Sequence, residues 1–263
     1  MITPFYVFCI LISIVIFCKI YICRTKCKYD NYMLNSTQIP TEEISSIPKI
    51  IIQTYISRDK VPQKVFDNIK KFAPNYKHYF FNNDECVNFI KNNYDNSILN
   101  AYINLKNNAH KADLFRYCYL YINGGVYLDV KIELIKPLDE IFKENYIYTA
   151  FSIVRNSFFQ GIIATPPKNK LFLNLINFFK EIQGNIEYHT FTKDFYRKVK
   201  DDINSELKEG LNVGKNMNYY LFREKCTYNK SDCYDGLDNK GLCCYIYDNN
   251  ESIIKVRYSD YPW

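Results

Sequence analysis

The chain has 263 residues, 48% hydrophobic and 17% aromatic, enough for one ordinary core plus an appendage. Its net charge of +6 comes without a long Lys/Arg run, which excludes a nucleic-acid footprint and any expectation of a nucleic-acid partner. The 25 tyrosines accompany an abundance of Asn, Ile and Lys, so a codon-biased genome, such as a viral one, explains them more simply than sugar stacking does.

Residues 1–23 read as a transmembrane anchor. Residues 4–18 carry no charge and Lys19 can snorkel. Twenty helical residues would then span about 30 Å of hydrocarbon. The lack of a basic n-region and of an A-x-A site argues against a cleaved signal peptide. Residues 24–46 are polar and aperiodic, as in a stem. Two signals conflict on orientation. Lys19, Arg24, Lys26 and Lys28 all follow the span, which by the positive-inside rule puts the domain in the cytosol. Cys226, Cys233, Cys243 and Cys244, with N-x-[ST] sequons at Asn35, Asn229 and Asn250, favour an oxidising lumen.

The main domain is expected over residues 47–263, with a cysteine-containing extension from about residue 220. Residues 49–56 form an apolar run suited to a buried first strand. Residues 62–72 read as a helix with proline near its start, and 76–81 as a short strand. Helices are expected over 84–92, 98–106 and 111–122. Residues 126–134 alternate like a strand, 146–153 and 158–164 are β-rich, and 169–182 is an amphipathic helix. Residues 244–247 and 253–258 suggest a hairpin. Strands alternating with helices predict an α/β fold with a mainly parallel sheet. Cys86 and Cys118 read as buried thiols. Adjacent Cys243 and Cys244 are awkward ligands for one zinc, and a lumenal domain would pair these cysteines in disulfides.

The densest signal is AHKADLFRYCYLYINGGVYLDVKIEL, residues 109–134. Asp113 and Arg116 share one helix face. Gly124 and Gly125 can end that helix at positive φ. If residues 126–134 are one strand, Tyr127, Asp129, Lys131 and Glu133 share a face. Two acids and a guanidinium then meet near a strand end, where open α/β sheets bind ligands.

This block resembles glycosyltransferase family 32, the DXD sugar-binding enzymes that include fungal Golgi initiating mannosyltransferases and sphingolipid mannosyltransferases. The family pattern A-x-x-x-D-x-x-R-Y-x-x-L-x-x-x-G-G-x-Y-x-D-x-D is met at Ala109, Asp113, Arg116, Tyr117, Leu120, Gly124, Gly125, Tyr127 and Asp129. IPKIIIQTY, FAPNYKHYFFNNDEC and FFQGIIATPPKN are similar to flanking family segments. The resemblance implies a GT-A-like, Rossmann-related sheet flanked by helices. It implies transfer of a hexose from a nucleotide sugar to a glycan or lipid hydroxyl, with retained configuration. It also implies a single-pass Golgi or ER protein with a lumenal domain, the orientation adopted here over the cytosolic one.

By the same resemblance Asp129, Asp113 and Arg116 are the catalytic candidates. Gln53, Thr54, Tyr127 and Lys131 join them in donor binding, although capping of the strand end explains Gln53 and Thr54 equally well. A divalent cation, Mn²⁺ or Mg²⁺, would be held by Asp129, with Glu133 and His189 as further candidates. His189 is equally a surface residue, and His110 reads as structural. Asn156 and Gln160 are acceptor-side candidates. The second acid of DXD is Lys131 here, and an ammonium cannot ligate a cation. Lys131 either replaces the metal's charge, or leaves Asp129 to hold a metal with Glu133 and waters, or marks a site that has lost catalysis. The last makes the chain a carbohydrate- or nucleotide-binding protein on the same fold. A structural membrane or virion glycoprotein is a weaker alternative.

Overall fold

A computed structural model describes residues 46–182, 186–233, 236–238 and 241–262. The expected anchor and all but the last residue of the stem lie outside them. Among the described residues no helix is long and apolar enough to cross a membrane.

The apolar run near the start becomes β1 (Ile50–Thr54), with Ile51 and Ile52 fully buried on opposite faces of the sheet. Helix α1 (Gln63–Phe72) leads to β2 (Lys77–Phe81). Three polar-capped helices follow. Asn82 and Glu85 form a capping box on α2 (Asn83–Asn93), Asp95 caps α3 (Asn96–Asn104), and Asn107 caps α4 (Asn108–Asn123). Helix α4 is buried almost all round, packing on its neighbours α2 and α3 and on α6 (Lys170–Glu181). That explains its weak amphipathic pattern, since a helix buried on every side has no solvent stripe.

Gly124 and Gly125 turn the chain from α4 into β3 (Gly125–Leu128) at φ of 65° and 100°. A Cβ on Gly125 would lie 2.8 Å from the Ile50 carbonyl oxygen, and one on Gly124 would lie 2.6 Å from Pro167 N. Neither position tolerates a side chain, in conformation or in space.

The remaining elements are β4 (Glu133–Leu134), α5 (Leu138–Ile141), β5 (Ile147–Phe151), β6 (Phe158–Thr165), α6, α7 (Thr190–Ile203), β7 (Gly210–Val213), β8 (Asn218–Thr227), β9 (Cys243–Asp248) and β10 (Glu251–Lys255). The strands form one sheet in the order β2-β1-β3-β6-β5-β8-β9-β10-β4, with β7 beside β8. Helices α6 and α7 meet through Phe179 and Phe191, stacked at 3.7 Å.

The sheet is mixed, which corrects the expectation of a mainly parallel one. Among the described residues only β1-β2, β1-β3 and β5-β8 run parallel. The other pairings are antiparallel. Alternating patterns reveal element type but not direction. Strands β5 and β6 are joined by six residues (152–157), and β9 and β10 by two, too short for a parallel crossover.

Residues 126–134 are also not one strand. The chain leaves β3 after Leu128 and turns, with Ile132 N donating to Asp129 O at 3.0 Å. It resumes as β4 at the other end of the sheet order, paired with β10. Leu128, Val130, Ile132 and Leu134 are buried and the residues between them half-buried, so burial alternates through a turn and mimics a strand. This connection makes the sheet curl. Five residue steps reach at most about 18 Å. Six flat strand spacings from β3 to β4 would need about 29 Å.

Disulfides join Cys226 to Cys244 and Cys233 to Cys243. The first pair stands directly opposite in the β8–β9 register. Cys86 and Cys118 are buried free thiols, as expected.

Candidate active site

The ends of β1 and β3, the inner face of α4 and the start of α7 line a cavity of about 490 Å³. Helix α4 contributes Asp113 and Arg116, buried one turn apart. The turn after β3 contributes Asp129 and Lys131. Arg116 organises the acids: its Nη2 lies 3.3 Å from Asp113 Oδ1 and 3.6 Å from Asp129 Oδ1. Its Nε donates to Ala112 O at 3.1 Å, and its Nη1 donates to the Gln160 carbonyl. The guanidinium also stacks 4.1 Å over the Tyr127 ring. Each of its nitrogens thus has a protein partner, which suits a group that holds others in place.

Asp129 is held from both sides. The Tyr127 hydroxyl donates to Oδ1 at 2.8 Å, and Lys131 Nζ lies 2.8 Å from Oδ2. Burial alone would raise its pKa, but Lys131 and Arg116 outweigh burial and hold the carboxyl well below the usual range. Asp113 differs: burial pushes it up to about 6, and Arg116 only limits the rise. The turn is fixed by Gln53, which donates to Asp129 O at 3.4 Å, and by Tyr258 N, which donates to Lys131 O at 2.9 Å.

Residues 59–148 match the family described as glycosyltransferase sugar-binding region containing DXD motif. An uncharacterized glycosyltransferase, L373, of Acanthamoeba polyphaga mimivirus is 29% identical over 229 residues, which are 80% of this chain and 91% of that protein. The chain is a glycosyltransferase, and residues 59–148 are similar to the DXD sugar-binding family. The initiation-specific alpha-1,6-mannosyltransferase of Candida albicans is 33% identical over 113 residues, 40% of this chain and 29% of that one. The inositol phosphoceramide mannosyltransferase 3 of Schizosaccharomyces pombe is 30% identical over 107 residues, 40% of this chain and 30% of that one. The glycosyltransferase described here spans less than a third of the length of these two mannosyltransferases.

The fold gathers most of the site residues expected from sequence. Thr54, Asp113, Arg116, Tyr127, Asp129, Lys131 and His189 all line the cavity. Gln53 acts from behind, through the Asp129 carbonyl. Glu133 is not brought to Asp129. It lines a separate cavity of about 360 Å³ with Lys64 and Asn68, and its Oε2 lies 3.8 Å from Lys255 Nζ. The turn at 129–132 breaks the strand face on which it was placed. His110 is structural, its Nε2 lying 3.1 Å from Tyr188 O. Asn156 is exposed and outside the cavity lining.

The residues at Asp129 do not fit a divalent cation. Both carboxylate oxygens already face cationic or hydroxyl donors, and Glu133 is elsewhere. Among the described residues the one group of three possible ligands is Glu224, Cys226 and Cys244, and its two sulfurs are bonded to each other.

Two site residues were underrated or missed in the sequence. Gln160 is 5% exposed and lines the cavity, and neither amide atom has a well-formed hydrogen bond within the described residues, although Tyr117 is a neighbour. A buried amide whose hydrogen bonds are incomplete is costly unless a ligand completes them. Beside it, a Cβ on Gly161 would lie 3.1 Å from Asp129 Oδ2 and 2.4 Å from the Phe159 ring. Glycine there makes room for the carboxylate. A glycine inside the apolar strand FFQGIIAT was the available signal.

Proposed function

We propose that this glycosyltransferase moves a hexose from a nucleotide sugar to a glycan or lipid hydroxyl, with retention, on a GT-A-like fold. The observation that carries the reading is the buried Asp113–Arg116–Asp129 network set in the wall of the cavity. Asp113 and the Gln160 amide offer acceptors and donors to sugar hydroxyls. Lys131, held by Asp129, faces the negative charge of the diphosphate. When the anomeric C–O bond breaks, its electron pair stays on the diphosphate oxygen. The acceptor hydroxyl forms the new bond from the same face and passes its proton to that oxygen. A fixed cation beside the developing charge lowers the barrier without reorganising.

Mannose is the first sugar to test, because two relatives are named as mannosyltransferases. A lipid acceptor is supported by the relative named for inositol phosphoceramide. The uncharged residues 4–18 support a membrane anchor, and the two disulfides support a lumenal domain of the Golgi or ER. The test is a panel of UDP- and GDP-sugars, read as sugar transfer to added acceptors and as hydrolysis to free sugar. Nucleotide binding without either product would favour the binding-protein alternative. Absence of nucleotide binding would sink both.

A further inference from the structure

A DXD site usually offers two acids to a divalent cation, whereas here the second position is Lys131. Its ammonium sits 2.8 Å from Asp129 Oδ2, while Arg116 Nη2 lies 3.6 Å from Oδ1. Among the described residues the charged side chains lining the cavity are Lys111, Arg116 and Lys131 against Asp113 and Asp129, with His189 in the same lining. Their balance is positive before any ion is added, and burial already weakens the charge of Asp113. With an acid at position 131 the same lining would be negative, and a diphosphate could enter only with a compensating cation.

We propose that Lys131 is the resident cation of this site: it contacts the donor's diphosphate directly, so donor binding needs no divalent ion. This rests on the donor reading above and deepens it. An ammonium has three donors, and Asp129 takes one, leaving others for phosphate oxygens. Asp129 holds Lys131 Nζ by the ion pair, Phe159 lies under it with its ring centroid 5.4 Å away, and Tyr258 holds its carbonyl. The cation is therefore positioned before the donor arrives. Asp129 becomes the support of a cation that belongs to the chain. Nothing about the bond-making step changes, because the leaving diphosphate still gains its electron pair beside a positive charge.

The test is calorimetric titration of UDP and of GDP into wild type, Lys131→Met and Lys131→Asp, each with EDTA and with Mn²⁺, on protein shown to be folded by circular dichroism. Wild type should bind one nucleotide equally under both conditions, and more weakly as salt rises. Lys131→Met should bind about 10- to 100-fold more weakly under both, the loss of one charge-assisted hydrogen bond. Lys131→Asp should bind only with Mn²⁺. Wild-type binding that requires Mn²⁺ overturns the proposal while leaving the donor reading intact. So does a Lys131→Met protein that binds as tightly as wild type. If folded wild type binds neither nucleotide under either condition, the donor reading fails and the proposal with it. The EDTA comparison on wild type stands even if a variant does not fold.

Discussion

Two carboxylates near one guanidinium have opposite electrostatic settings, and each predicts a different behaviour. Asp129 is stabilised as an anion by Lys131 and Arg116. Asp129→Asn keeps the volume and removes the charge that holds Lys131, so transfer should fall about 10²- to 10³-fold. The thermal melt should still be cooperative, and near-normal turnover in a folded variant would remove Asp129 from the mechanism. Asp113 is raised to about 6 by burial. Its folded form therefore binds a proton more tightly than its unfolded form, so the stability that protonation adds is lost as pH rises through about 6. If the carboxylate is the form that receives sugar hydroxyls, kcat/KM should climb over the same interval. Asp113→Asn should flatten both profiles, and a wild-type rate that stays level from pH 5 to pH 7 would contradict this role (an interval of about one unit either side).

At the scale of elements, the α4–β3 junction carries the site. Asp113 and Arg116 stand on the helix and Asp129 just past the strand, so the glycine pair between them sets their separation. Gly125 sits at φ 100° with the Ile50 carbonyl in the way of any Cβ. Gly125→Ala should cost about 1–3 kcal/mol from backbone strain, with more from the contact. Urea denaturation measures it, and a loss under about 0.5 kcal/mol would mean that β1 and β3 move apart freely. This junction was legible from sequence, because glycine chemistry and helix capping are local. The turn after Leu128 was not. Its alternating burial imitates a strand, and only the pairing of β4 with β10 shows that the chain has left one edge for another.

At the scale of the molecule, the curled sheet brings its C-terminal strands back to the turn that holds Asp129 and Lys131. Tyr258 bonds to Lys131, Tyr261 lines the cavity, and both disulfides anchor β9, the hairpin partner of the strand β10 that precedes these tyrosines. Reduction should lower the melting temperature, since each crosslink contributes about 2–4 kcal/mol in typical proteins. Oxidised protein should therefore resist alkylation at Cys226, Cys233, Cys243 and Cys244 until reduced. Expression in a secretory cell extends the test: Asn229 and Asn250 are exposed, and a lumenal domain should shift on endoglycosidase treatment. An unglycosylated domain that protease removes from the outside of intact microsomes would support the cytosolic orientation instead.

The sequence by itself determined the element types over most of residues 49–258 and the identity of the acids, the guanidinium and the lysine at the site. Those signals are periodic or chemical, and they act over a few residues. The direction of the strands was decided only by tertiary structure, because the same alternating pattern serves parallel and antiparallel pairing. So was the separation of Glu133 from Asp129, since one turn sends them to different cavities. The placing of Gln160 and Gly161 beside Asp129 joins residues more than thirty positions apart across the β3–β6 register. The ion pair between Lys131 and Asp129 belongs to the same class. Two residues of opposite charge spaced two apart point away from each other on a helix and share a face on a strand, and here a turn fixed from outside by Gln53 and Tyr258 brings them together.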